Sequence, residues 1–180
     1  MKVTPTELPD VLLIEPRLFA DQRGFFFESY NRRALSDAGL EAEFVQDNHS
    51  RSMRGVLRGL HYQIEHAQGK LVRVISGEVF DVAVDIRRSS PTFGRWTSMA
   101  LSAQNKRMLW IPAGFAHGFL VVSDIAEFLY KTTDYWYSEF ERTLLWSDPA
   151  LGIAWPLAGS PTVAPKDEAG RPLALADVYP

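Results

Sequence analysis

Two histidines stand at spacings that chemistry can use. Five residues separate Gly55 from His61 in Gly55-Val56-Leu57-Arg58-Gly59-Leu60-His61, and His117 closes the run Pro112-Ala113-Gly114-Phe115-Ala116-His117. An imidazole with an unperturbed pKa of about 6.5 can be neutral at working pH, so either ring can accept a proton or ligate a metal. A catalytic divalent site wants about three nitrogen or carboxylate ligands, and two histidines alone do not make one; no metal is expected. Taken singly, His61 is as readily a satisfied core histidine as a base. His117, behind a Pro-x-Gly turn at a strand mouth, reads as structural first and ligand-contacting second. His49 and His66 read as surface or loop residues and are assigned no chemistry.

These side chains need a scaffold, and the chain spells a β one. Short runs of Val, Ile, Phe and Leu, closed by Gly, Pro or Ser, recur from Val11 to Tyr130, the pattern of an antiparallel sandwich or barrel. The clearest strand is Val79–Ile86, with Phe80, Val82, Val84 and Ile86 on one face and Asp81 and Asp85 on the other. Leu71–Ile75 precedes it, and Ser76-Gly77-Glu78 between them reads as a hairpin turn. Further strands are expected at Phe25–Tyr30, Val56–Gln63, Trp96–Leu101, Met108–Ile111, Gly118–Val122 and Glu127–Tyr130. One short peripheral helix, Arg32–Ala38, has Asn31 as its N-cap and Gly39 as its terminator. After Asp148 the composition turns to proline and glycine, reading as irregular chain that docks on the barrel through Trp146 and Trp155. Strict alternation from Leu57 to Gln63 sets Arg58 and His61 on opposite faces. A bulge at Gly55 or Gly59 would reunite them; otherwise Arg58 serves a neighbouring subunit's site.

Composition narrows the function classes. The 180 residues suit one domain over 1–180, and the complete lack of cysteine excludes disulfides and thiolate metal sites and suits a reducing compartment, the cytoplasm. No apolar run reaches membrane-spanning length, and Met1–Pro5 leads into acidic and proline residues rather than a signal core, so neither a membrane span nor export is expected. A net charge of −3 argues against nucleic-acid binding; phosphate binding would need locally gathered cations.

The two histidine spacings resemble the two cupin motifs. Metal-binding cupins continue the first motif with a second His two residues on and then a Glu; here those positions hold Gln63 and Ala67 or Gln68, so two of four ligands are missing. From about Pro9 to Asp167 the chain further resembles the deoxysugar epimerase family typified by dTDP-4-dehydrorhamnose 3,5-epimerase. The matching blocks are Asp21-Gln22-Arg23-Gly24-Phe25-Phe26-Phe27-Glu28, Gln46-Asp47-Asn48-His49-Ser50, Leu57-Arg58-Gly59-Leu60-His61, Gln68-Gly69-Lys70-Leu71-Val72-Arg73, Gly77-Glu78-Val79-Phe80-Asp81-Val82 and Ile111 through Phe119. Six blocks in order are a specific signal.

The resemblance implies a cupin-type double-stranded β-helix, a jelly-roll barrel, that epimerises a dTDP-linked 4-keto-6-deoxy sugar without metal, nicotinamide or other cofactor. It implies double inversion, at C3 and C5, with a C3-only or C5-only relative as the near alternative. A metal-dependent cupin oxygenase or a noncatalytic sugar-nucleotide binding module are the alternatives of another class. His61 resembles the family's base, Tyr130 its acid, and Asp167 the aspartate that orients the base. Lys70 shares a strand face with Val72 and Val74 and would stabilise charge on the ketone oxygen. Arg23, Glu28, Gln46, Asn48, Arg58, His117, Glu141 and Lys166 match substrate contacts. Trp136, or Tyr135 or Tyr137 beside it, is expected to stack on the base. The family also implies a homodimer with exchanged strands.

Overall fold

The computed structural model describes residues 1–180, and thirteen strands carry the architecture. They are β1 (Lys2–Pro5), β2 (Leu12–Glu15), β3 (Phe19–Asp21), β4 (Gly24–Phe26), β5 (Gln46–Met53), β6 (Leu57–Gln63), β7 (Lys70–Ser76), β8 (Glu78–Asp85), β9 (Trp96–Ser102), β10 (Met108–Ile111), β11 (Phe115–Val121), β12 (Ile125–Thr132) and β13 (Glu141–Thr143). A six-stranded sheet runs β1-β2-β10-β7-β12-β5, and a five-stranded sheet runs β13-β6-β11-β8-β9. All their pairings are antiparallel. The pair of sheets forms the expected cupin-type jelly roll.

Between the sheets lies an apolar layer. Val72, Val74, Leu109 and Phe128 come from the six-stranded sheet, and Val79, Ala83, Phe115 and Phe119 from the five-stranded one, with Leu8 and Val11 closing an end. The apolar face foreseen on β8 points the other way, outward. Val82, Val84 and Ile86 join Leu60 and Tyr62 under the C-terminal chain, which brings Trp155, Leu173, Val178 and Tyr179. The proline-rich tail therefore docks, and Trp155 donates its indole N–H to the Trp146 carbonyl. Burying that face is what removes the need for a third sheet. On the opposite outer face, α1 (Arg32–Asp37) buries Leu35 against Ile14, Leu71 and Met108; Asn31 caps it by accepting from the Ala34 N–H.

Two local expectations are corrected. β7 and β8 are not a hairpin: β7 pairs with β10 and β12, and β8 with β9 and β11 in the other sheet. Gly77 is the corner between sheets, with φ +75°, and a Cβ there would stand 1.9 Å from the Ile125 carbonyl oxygen. A glycine turn between two apolar runs specifies a sharp bend, and the partners available to each run decide which bend. The strand placed at Phe25–Tyr30 shrinks to β4, paired only with β3 in an exposed ribbon. β5 carried no apolar signal at all. It is an edge strand whose Asn48 and Ser50 face a polar cavity, so its period of two is written in polar residues.

Candidate functional site

One end of the barrel opens as a cavity of about 620 Å³, a size that holds a small ligand. β6 brings His61 to it. Register pairs His61 with His117 and Arg58 with Phe119, so three steps on β6 match two on β11, a bulge whose extra residue falls at Gly59–Leu60. Gly59 has φ +114°, and a Cβ on it would stand 2.7 Å from Gly118 Cα and the His117 carbonyl. Only glycine allows that approach. The bulge turns Arg58 and His61 to the same side, and both line the cavity. The parity conflict in the sequence is resolved within one chain, without a neighbour.

Asp167 reaches His61 from α2 (Pro165–Glu168), a single turn in the tail; Pro165 stands in its first turn, where its missing N–H costs nothing. One carboxylate oxygen lies 2.5 Å from His61 Nε2 and the other accepts from the Gly59 N–H at 3.1 Å, so the bulge and the carboxylate hold each other. This contact puts the ring proton on Nε2 and leaves Nδ1 as the basic nitrogen. Burial pushes the His61 pKa down, against the pull of Asp167. Burial would raise Asp167, but the His61 hydrogen bond and charge and the Gly59 N–H outweigh it and keep the carboxyl below its ordinary value. The pair is thus a neutral imidazole backed by a carboxylate.

Lys70 begins β7, faces inward with Val72 as alternation required, and donates from Nζ to the His61 carbonyl at 3.1 Å. Burial lowers its pKa to about 8, with Asp81 and Glu141 pulling it back up. Tyr130 lies on β12, in the opposite sheet from His61, and lines the same cavity. Burial raises its pKa, as does Glu141, so the phenol holds its proton at neutral pH. Arg58, Lys70 and Lys166 gather the local positive charge that a net-acidic chain needs for an anionic ligand. Glu141 accepts both oxygens' worth of hydrogen bonds from Lys166 Nζ, at 2.9 and 3.0 Å, across the mouth.

Asn48, His117, Trp136 and Glu141 line the cavity as expected. Gln46 stands behind it, accepting from the Trp136 N–H at 3.2 Å and donating to Asn48 at 3.0 Å. Arg23 and Glu28 are not brought there. Arg23 pairs with Asp21 at the tip of the exposed ribbon, and Glu28 accepts from Asn31. A residue the sequence reading passed over is Asp81, fully buried, whose carboxylate meets His117 Nε2 at 2.9 Å. Its signal was an aspartate on a β8 face that alternation kept apart from Val82 and Val84. The residues present do not fit a divalent ion, because His61 and His117 fall short of the three or four ligands such an ion takes, and the Gln63 and Gln68 amides are turned to a loop.

Inverting a carbon centre needs a base on one side and an acid on the other, since the proton leaves one face and returns to the opposite one. His61 on one sheet and Tyr130 on the facing sheet meet that requirement across the cavity. Comparison with known proteins narrows the class. The sequence profile of the family described as dTDP-4-dehydrorhamnose 3,5-epimerase matches residues 5–174. A dTDP-4-dehydrorhamnose 3,5-epimerase of Pseudomonas aeruginosa is 64% identical over 181 residues, covering 100% of both chains. The crystal structure of a dTDP-6-deoxy-D-glucose-3,5-epimerase from Legionella pneumophila, in complex with dTDP-4-keto-L-rhamnose, superposes with a TM-score of 0.95 at 51% identity, over 98% of this chain and 94% of that one. A 3'-monoepimerase from Streptomyces bikiniensis in complex with dTDP-quinovose gives 0.90 at 33% identity, over 95% and 87%. The chain belongs to the dTDP-4-dehydrorhamnose 3,5-epimerase family.

Proposed function

We propose that the chain inverts C3 and C5 of dTDP-4-dehydro-6-deoxy-D-glucose to give dTDP-4-dehydro-L-rhamnose, with His61 as base, Tyr130 as acid, Lys70 as enolate stabiliser and Asp167 behind the base. The observation that carries this reading is the placement of His61 and Tyr130 on opposite sheets of one cavity. His61 Nδ1 takes the proton from the carbon beside the ketone; the C–H electron pair forms the C–C double bond and the carbonyl pair moves onto oxygen. The Lys70 ammonium offsets that oxyanion. Tyr130 then gives its proton to the other face, the enolate collapses to the ketone, and the imidazolium and phenolate exchange protons with water to reset. C3 and C5 both flank C4, so the same machinery serves each.

Arg58 and Lys166 are assigned to the diphosphate, Asn48, His117 and Glu141 to polar groups of the sugar nucleotide, Gln46 to support of that wall, and Trp136 to the base. Arg23 and Glu28 are assigned to the cavity of a second copy. Phe19, Phe25 and Phe26 of the ribbon are 50%, 57% and 67% exposed, an apolar patch that a homodimer would cover and that would carry these two residues across. No helix is long and apolar enough to cross a membrane; with a cysteine-free chain, the cytoplasm is the assigned compartment.

Incubation with the 4-keto substrate in deuterated water tests the reaction. NMR should show label at both C3 and C5; label at one carbon alone would reduce the chain to a monoepimerase. His61→Ala should abolish both exchanges while dTDP still binds, and near-normal turnover by that variant would remove His61 from the base role.

A further inference from the structure

Gln63, at a ligand position of the cupin motif, and Gln68, at or beside another, bond elsewhere. Gln63 is buried, and its whole amide is committed to neighbouring chain: Nε2 donates to the carbonyls of His66 at 2.7 Å and Tyr135 at 3.1 Å, and Oε1 accepts from the Tyr137 N–H at 2.6 Å. Gln68 Nε2 donates to the Asp134 carbonyl at 2.9 Å, which also accepts from Thr132 Oγ1 at 2.8 Å. Asp134–Tyr137 has no strand or helix of its own. It is held from beneath by side-chain amides while Trp136 above is 55% exposed and lines the cavity. From the other side Gln46 fixes the Trp136 N–H, and the His66 ring lies against Tyr137 with centroids 4.3 Å apart.

We propose that Gln63, with Gln68 behind it, is a positioning residue for nucleotide binding: it fixes the backbone on both sides of Trp136 and so pre-forms the platform for the base. This rests on the reading of the cavity as a sugar-nucleotide site. An irregular segment carrying an exposed aromatic would ordinarily lose conformational freedom when a ligand orders it, which weakens binding. Here the ordering is built in before the ligand arrives. Glutamine suits the position because one planar group offers two N–H donors and a carbonyl acceptor, matching two carbonyls and one N–H. Neither a histidine nor a carboxylate, the usual metal ligands there, can make that set. The side chains at these positions of the wall are turned to the loop rather than toward His61 and His117.

Calorimetric titration with dTDP and steady-state exchange kinetics on Gln63→Leu, Trp136→Ala and the double variant test the role. Gln63→Leu should raise the Kd for dTDP and the KM for the 4-keto sugar by about tenfold, with kcat within about twofold, because the Gln63 amide is spent on His66, Tyr135 and Tyr137 and bonds to none of His61, Lys70, Tyr130 or Asp167. In the Trp136→Ala background the same substitution should add almost nothing, since the side chain it positions is gone. An unchanged Kd, a loss confined to kcat, or additive effects in the double variant would each overturn the proposal. Gln68→Leu, which removes one hydrogen bond from the loop, is the second arm should Gln63→Leu fold poorly: a rise of about threefold in Kd that vanishes without Trp136 supports the role, and no rise or an additive one refutes it. Wild-type protein that binds dTDP yet exchanges no ring proton would defeat the epimerase reading, while the Kd cycle would still decide the platform.

Discussion

Burial and a carboxylate act together on His61, the proposed base. A histidine alone is a weak match for a carbon acid, and each pKa unit of mismatch is worth about 1.4 kcal/mol, so charge must be stabilised at both ends of the transfer. In the proposed mechanism Asp167 stabilises the imidazolium as it forms, and Lys70 the oxyanion. Their titrations set the pH profile. His61 must be neutral, and its pKa is pushed down by burial, so kcat/KM should rise through a pH below the ordinary histidine value. Lys70 must be protonated, so the rate should fall as pH passes about 8. Lys70→Met should cut kcat by roughly 10²–10³-fold and shift the alkaline limb to the titration of Tyr130, above the ordinary tyrosine value. A profile of unchanged shape would remove Lys70 from the reaction. Asp167→Asn should lower kcat by roughly 10²–10⁴-fold by unfixing the tautomer, measured by single-turnover exchange.

At the scale of elements, one irregularity carries the site. Regular alternation on β6 would leave Arg58 outside the cavity, and the bulge at Gly59 brings it in while offering Asp167 a backbone N–H. Gly59→Ala should therefore cost about 3 kcal/mol in urea unfolding, from overpacking against Gly118 and a positive φ, and should depress exchange more than stability alone predicts. A fully active, equally stable variant would mean that the bulge has another origin. The bulge was legible as a conflict between alternation and function, because a glycine, Gly59, stands between Arg58 and His61. β5 was not legible: it lines a polar cavity, so the usual apolar alternation is absent, and only neutral Asn48 and Ser50 alternating with Asp47, His49 and Arg51 marked it. The Gly77 bend was legible as a bend and misread as a hairpin, since the turn says nothing about which strands lie alongside.

Over the whole molecule, the tail and the ribbon have opposite positions. The tail closes on its own barrel: Tyr62 and Tyr179 hydroxyls bond to the carbonyls of Asp177 and Gln63, and burial raises both phenols to about 12. It therefore acts as the fixed mount for Asp167. The ribbon of β3 and β4 joins neither main sheet. For the proposed homodimer, replacing Phe25 and Phe26 together with serine should halve the mass seen in sedimentation equilibrium and cost activity, because the assignment of Arg23 and Glu28 to a second cavity needs that contact. A variant that stays dimeric would place the interface elsewhere.

The sequence by itself determined the all-β class, the inward faces of β7, the helix cap at Asn31 and the residue types of the site, since these follow from local periodicity, turn chemistry and motif spacing. Tertiary structure decided which sheet each strand joined, that Asp167 comes from a tail over a hundred residues from His61, and that Arg58 and His61 share a wall. Those outcomes depend on pairings between distant segments, where the free energy lies in contacts that no local pattern encodes.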